Sequence, residues 1–242
     1  MRGRAPIRGV LFDKDGTLFS FRDSWADWTA EVIDELAGGD AGLAARLDRA
    51  IGFDRRRGDF APDSAVIAGT SQTAAHLLAP HLGRDRDGLA RFLDARALQA
   101  TMRPAVPLGP LMARLRGAGL VLGVATNDTE AAATRHLVAA GVAEAFSIVL
   151  GYDSVPAPKP APDMPRAFAA ACGLSVEAVV MVGDSAHDLV AGRQAGMRTV
   201  AVLTGIATGD DLRPLADAVL PDIGHLPDWL GLPPEPARFA DC

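Results

Sequence analysis

Lysine is almost missing from this chain of 242 residues: Lys14 and Lys159 are the only two, so nearly all of the positive charge is arginine. The basic residues are also scattered, with no cluster longer than Arg55-Arg56-Arg57, and the formal net charge is −6. That sign repels a phosphate backbone, which argues against nucleic acid as a partner. Cysteine is equally scarce. Cys172 and Cys242 give neither a disulfide framework nor metal-ligand spacing, so neither a stapled secreted scaffold nor a zinc module is expected. No apolar run approaches the ~20 residues of a membrane span, and Asp13 interrupts the first one far short of a signal-peptide core. A Walker A loop and a dinucleotide fingerprint are missing as well. A cytoplasmic protein with no membrane partner, monomeric or homodimeric, is the expectation.

What is present is enough apolar material to fold. Hydrophobic residues make up 49% and charged residues 22%, ordinary values for a packed globular chain. Apolar runs at Arg8–Phe12, Leu120–Ala125, Phe146–Leu150, Val179–Val182 and Thr199–Leu203 read as strands. Helical stretches at Leu108–Ala118, Thr129–Ala140, Pro162–Cys172 and Ala186–Ala195 separate the later ones. This alternation calls for an α/β fold, a Rossmann-like parallel sheet with helices on both faces.

The interval from Ser20 to Pro104 differs. Trp25–Ala37, Leu43–Ala50, Ser64–Ala79 and Asp87–Ala100 read as helices in succession without a convincing strand, so a helical domain inserted after the first strand is expected over residues 20–104. Residues 1–19 and 105–242 then form the core domain. The Pro-rich "MRPAVPLGP" is the return linker, and the closing "LPPEPARFADC" reads as a loosely held tail.

In an open parallel sheet, ligands bind at the carboxyl ends of the strands. Those ends carry Asp13 and Asp15; Thr126, Asn127 and Asp128; and Asp184, Ser185 and Asp188, with Lys159 in a loop beyond the third strand. Singly, each has a structural reading as a cap, a turn former or a loop charge. Collected on one edge, several carboxylates repel one another unless a cation joins them, and all-oxygen ligation suits Mg²⁺. Phosphate is the anion that Mg²⁺, a lysine and a hydroxyl ordinarily share.

"DKDGTL" at 13–18, "GVATN" at 123–127, Lys159 and "VGDSAHD" at 182–188 together resemble the four motifs of the haloacid dehalogenase superfamily of phosphohydrolases. The helical block is similar to the cap of the subgroup that includes phosphoglycolate phosphatases. The resemblance implies that Asp13 attacks phosphorus and forms an aspartyl phosphate, and that Asp15 is the acid and base. It also implies that Thr126, Asn127 and Lys159 hold the phosphoryl group. Mg²⁺ would be held by Asp13, the backbone carbonyl of Asp15, Asp184 and Asp188. The implied substrate is a small phosphorylated metabolite, with 2-phosphoglycolate the first to try.

Within that family the presence of Asp15 disfavours dehalogenation, and the absence of lysine between Lys14 and Lys159 removes the imine chemistry of phosphonate-cleaving members. A sugar phosphomutase remains an alternative. A phospho-receiver module fits less well, since receivers carry no long insertion after their first strand, and a non-catalytic binding relative is disfavoured by the complete motif set. Arg55, Arg56 and Arg57 read first as a solvated run and second as partners for a substrate carboxylate. Trp25 and Trp28 share a helix face and pack within the cap or line its mouth. His187 reads as a surface side chain, and His76, His81, His136 and His225 show no ligand spacing. Extended backbone sends residues i and i+2 to the same side, so Asp13 and Asp15 would aim together while Lys14 points away.

Overall fold

The computed structural model describes residues 5–234. In chain order the core elements are β1 (Gly9–Phe12), α5 (Leu108–Gly117), β4 (Val121–Ala125), α6 (Glu130–Ala139), β5 (Ile148–Leu150), α7 (Asp163–Ala171), β6 (Val179–Gly183), α8 (Ala186–Ala195), β7 (Arg198–Val202), α9 (Gly209–Leu212), β8 (Ala218–Leu220) and α10 (Leu226–Trp229). Between β1 and α5 lie α1 (Phe21–Ala37), α2 (Ala41–Ala50), β2 (Phe53–Asp54), β3 (Asp59–Phe60), α3 (Ser71–Leu82) and α4 (Arg86–Ala97).

The core strands form one six-stranded parallel sheet in the order β5-β4-β1-β6-β7-β8. Strand β1 lies at its centre, pairing Phe12 with Val124 on one side and Val182 on the other. The chain winds outward from β1 first through β4 and β5, then through β6 to β8. That reversal opens a crevice at the carboxyl end of β1, where the motif residues emerge.

Side-chain alternation assigns the sheet's two faces. Val10, Phe12, Leu122, Val124, Val180, Val182, Val200 and Val202 join one cluster with Leu111, Met112 and Leu115 of α5 and Leu137 of α6. Leu11, Val179 and Met181 face the other way, onto Met164 and Phe168 of α7 and Ala195 of α8. Burial on both faces explains why these strands are continuous apolar runs. The helices that follow strands are capped by side chains the sequence supplies there. Thr129 accepts from Ala132 N, and Ser185 forms a reciprocal capping box with Asp188.

The inserted block packs around its own cluster, in which Val32, Ile33 and Leu36 of α1 meet Leu47 of α2, Leu78 of α3 and Leu89 and Leu93 of α4. It is not all helical. A two-residue antiparallel hairpin pairs Phe53 with Phe60, whose rings lie 5.0 Å apart. Those strands are too short to show an alternation. The helix expected from Ser64 begins at Ser71, because Thr70 and Thr73 close a capping box there. β8 pairs in parallel with β7 at the sheet edge, although three half-buried residues carry no strand signal of their own. No helix among the described residues is long and apolar enough to cross a membrane. Cys242 and most of the tail expected to be loose lie outside the described residues.

Candidate active site

Strand β1 stops at Phe12, and the backbone then turns through residues 13–17. Asp13 N–H still donates to Val182 O at 2.8 Å, which ties the first acid to β6. Gly16 sits at a φ of 83°, in the left-handed region that glycine tolerates, and a Cβ there would strike the Asp184 carboxylate. Gly205 presses on the same carboxylate from the loop after β7. Two glycines therefore make the space in which Asp184 stands.

Asp13, Asp184 and Asp188 are all buried, and each offers an oxygen within 4.8 Å of the others. Lys159 lies among them. Its ammonium donates to Asp13 Oδ1 at 2.5 Å, Asp188 Oδ1 at 2.6 Å and Ala125 O at 2.7 Å. Asp188 Oδ2 is held by Ser185 N–H and Oγ, and Thr17 Oγ1 donates to Asp184 Oδ1 at 3.3 Å.

One ammonium does not balance three buried carboxylates. Burial, reinforced by Asp188 and Asp15 and opposed by Lys159, pushes the Asp13 carboxyl up to about 7. Burial together with Asp13 and Asp188 raises Asp184 well above the usual carboxylate range. For Lys159 burial acts downward, but Asp13 and Asp188 outweigh it and keep the amine protonated. The remaining deficit of positive charge and an all-oxygen donor set fit a small divalent cation such as Mg²⁺.

The structure places Asp15 apart from this group. Its Oδ1 accepts from Lys14 Nζ at 2.8 Å and from Trp25 Nε1 at 2.8 Å. Lys14 does not point away as strand alternation predicts. The strand has already ended, so its side chain runs back through the protein and is completely buried. The ammonium lies 3.2 Å from Asp128 Oδ2, 3.2 Å from His136 Nδ1 and 5.3 Å from the centre of the Trp25 ring. His136 Nε2 faces the Ala97 carbonyl at 3.0 Å. A carbonyl only accepts, so Nε2 carries the hydrogen and Nδ1 is the acceptor for Lys14. Burial and then Lys14 lower the His136 pKa, which keeps the ring neutral. Burial acts against the charge on Lys14, but Asp15 and Asp128 outweigh it.

Of the phosphate-holding candidates, Thr126 is buried at the end of β4, and its Oγ1 accepts from Asp128 N–H at 3.1 Å. Its hydroxyl hydrogen is therefore available to a ligand. Asn127 lines the cavity too, and its side-chain amide is engaged by backbone groups. Its Nδ2 donates to Ala68 O at 2.8 Å and Lys159 O at 2.9 Å, and its Oδ1 accepts from Lys159 N–H. It braces the Lys159 loop against the inserted block. His187, read from sequence as a surface side chain, contacts the same Ala68 carbonyl through Nδ1 at 3.0 Å.

Asp13, Asp15, Thr126, Asn127, Asp128, Lys159, Asp184, His187 and Asp188 line one cavity of about 160 Å³, whose far wall is the inserted block; Lys14 and His136 lie behind it. Sequence reasoning had no role for Asp94, Tyr152 or His136. Tyr152 Oη donates to Asp94 Oδ2 at 2.9 Å across the boundary between core and insert. The one available signal was the rarity of lysine, which marked Lys14 as unusual.

Known proteins agree with this architecture. A phosphoglycolate phosphatase of Neisseria meningitidis is 42% identical over 233 residues, covering 92% of each chain. One from Rhodospirillum rubrum is 31% identical over 240 residues, covering 93% of this chain and 92% of the relative. Among solved structures, CbbY from Rhodobacter sphaeroides in complex with phosphate superposes with a TM-score of 0.66 at 22% identity, over 91% of this chain and 96% of that one. The protein is thus a phosphatase of the α/β class. More particularly, it belongs to the haloacid dehalogenase-like hydrolase family, whose pattern matches residues 7–196.

Proposed function

We propose that the protein is a Mg²⁺-dependent phosphomonoester hydrolase acting through a phosphoryl group carried on Asp13. The observation that supports this most directly is the buried Asp13, Asp184 and Asp188 group with Lys159 seated against Asp13. A carboxylate can attack phosphorus once the substrate's charge is offset; Thr126 would donate its hydroxyl to a phosphoryl oxygen, and the Lys159 ammonium would turn to another from its present acceptors. Bound Mg²⁺, held by Asp13, Asp184 and Asp188 with the Asp15 carbonyl, would supply the remaining positive charge. Asp15, held by Lys14 and Trp25, would protonate the departing oxygen and then take a proton from the attacking water. Residues 20–104 act as a cap that excludes water from the cavity.

The substrate in this reading is a small phosphorylated metabolite of the cytoplasm. 2-Phosphoglycolate, which the relatives' names carry, is the first ester to assay. The test is Mg²⁺-dependent release of phosphate from p-nitrophenyl phosphate, with wild type active and Asp13→Asn reduced at least ~10³-fold, by analogy with loss of an essential catalytic group. Full activity in that variant would overturn the assignment of Asp13.

A further inference from the structure

We infer that the alcohol this enzyme releases is uncharged and largely hydrocarbon, and is not a hydroxy acid. The inference rests on the phosphomonoesterase reading and concerns the opposite end of the same cavity. Once the phosphoryl group is seated against Asp13 and Lys159, the rest of the ester must face the inserted block. The apolar part of that wall is built from Phe21, Trp28, Val32, Ile33, Leu78 and Leu93, and the uncharged Thr29, Thr70 and Ser71 also line it. The apolar side chains except Trp28 belong to the buried cluster of the insert, and Trp28 packs against it. They present carbon to the ligand and nothing that compensates a charge.

The charged groups around the cavity are also one-sided. Among the described residues its lining holds Asp13, Asp15, Asp94, Asp128, Asp184 and Asp188, and Lys159 is its only Lys or Arg. Lys159 is already engaged by Asp13 and Asp188 at the phosphoryl end. Of the arginines that could have met a carboxylate, Arg56 and Arg57 are exposed and do not line the cavity, and Arg55 and Arg22 are used inside the insert. Arg55 is clamped by Asp34 at 2.8 Å and Asp48 at 2.9 Å, and Arg22 by Asp59 at 2.9 Å. The first turn of α3 opens onto the cavity; its capping box uses the N–H groups of Thr70 and Thr73 and leaves those of Ser71 and Gln72, which are neutral dipoles and bring no cation. At the boundary stands Asp94, another acid, bonded to Tyr152. A second anion on the substrate would be stripped of water beside hydrocarbon and acids with no cation to meet it. A ring or branched chain would lose no such hydration. The volume of about 160 Å³ limits it to a small one.

Benzyl phosphate and 2-phosphoglycolate test this directly, since both release a primary alcohol oxygen and differ in whether the remainder is a ring or a carboxylate. With Mg²⁺, we expect kcat/KM for benzyl phosphate to exceed that for 2-phosphoglycolate at least ~10-fold, the scale on which a pocket separates ligands by one poorly matched group. Calorimetric binding of the same two esters to Asp13→Asn reads the preference without turnover, and the same ~10-fold order is expected. Equal or tighter binding of 2-phosphoglycolate, or binding of neither ester at millimolar concentration, overturns the inference. If wild type hydrolyses neither ester while Asp13→Asn still prefers benzyl phosphate, the hydrolase reading fails and the ligand preference stands.

Discussion

Lys14→Met removes the ammonium that pairs with Asp15, and the structure separates its two consequences. The first concerns stability. Lys14 is fully buried, while the side chains of Asp15 and Asp128 are 17% and 10% exposed, so deleting the ammonium leaves two nearly buried carboxylates facing each other. Removing one partner from a buried pair costs about 3–5 kcal/mol. The double variant Lys14→Met/Asp128→Asn deletes one cation and one anion together and should recover most of that loss in thermal unfolding. The second consequence concerns rate. Asp15 would keep the Trp25 bond but lose the 2.8 Å contact with Lys14, and with it a fixed orientation. An alkyl phosphate needs its leaving oxygen protonated, whereas p-nitrophenolate departs as an anion. In the stable double variant, kcat/KM for an alkyl phosphate should fall about 10²-fold, the lower end of what positioned acid catalysis contributes, while p-nitrophenyl phosphate changes less than about threefold. kcat/KM reports the steps up to formation of the phosphorylated enzyme, so later hydrolysis does not blur the comparison. An equal fall with both substrates would reduce Lys14 to a packing role, and no change with either would refute the argument.

Asp13 in the metal-free protein binds its proton more tightly than an unfolded carboxyl, with a pKa raised from 3.8 to about 7 by burial against the pull of Lys159. The folded state therefore holds more protons between these values, so rising pH removes stability across that window. In urea titrations with a chelator, Asp13→Asn should gain stability relative to wild type as pH rises from 4 to 7, and a gap independent of pH would contradict the shift. Saturating Mg²⁺ should stabilise wild type more at pH 8 than at pH 5, because protons compete for the same oxygens; a larger thermal shift at pH 5 would count against Asp13 and Asp184 as ligands. Gly16→Ala places a Cβ against the Asp184 carboxylate at a φ of 83°. It should cost at least about 1–2 kcal/mol from backbone strain alone and weaken the stabilisation by Mg²⁺, and an unchanged response to Mg²⁺ would show that Gly16 does not shape the site.

How much of this was legible beforehand differs from residue to residue. The apolar runs that became β1, β4 and β6 are visible because both faces of a parallel sheet are buried, and Asp13, Thr126 and Asp184 are visible because they stand immediately beyond such runs. Asn127 was legible as a strand-end residue, but its amide is spent on Ala68 and Lys159 backbone groups that no local pattern brings near. The hairpin at Phe53 and Phe60 and the edge strand β8 are too short to carry a period, so only their neighbours define them.

The sequence by itself determined the doubly covered parallel sheet, the insertion after its first strand and the set of acids at the strand ends, since burial and periodicity are local properties of a chain. The tertiary structure alone decided what surrounds Asp15 and which residues of the insert face the cavity. Lys14 and His136 are 122 positions apart, and Trp25 and Asp94 come from the insert. Contacts of that range depend on how the insert is laid over the sheet, and a long side chain beyond the end of a strand no longer obeys the alternation that made the strand readable.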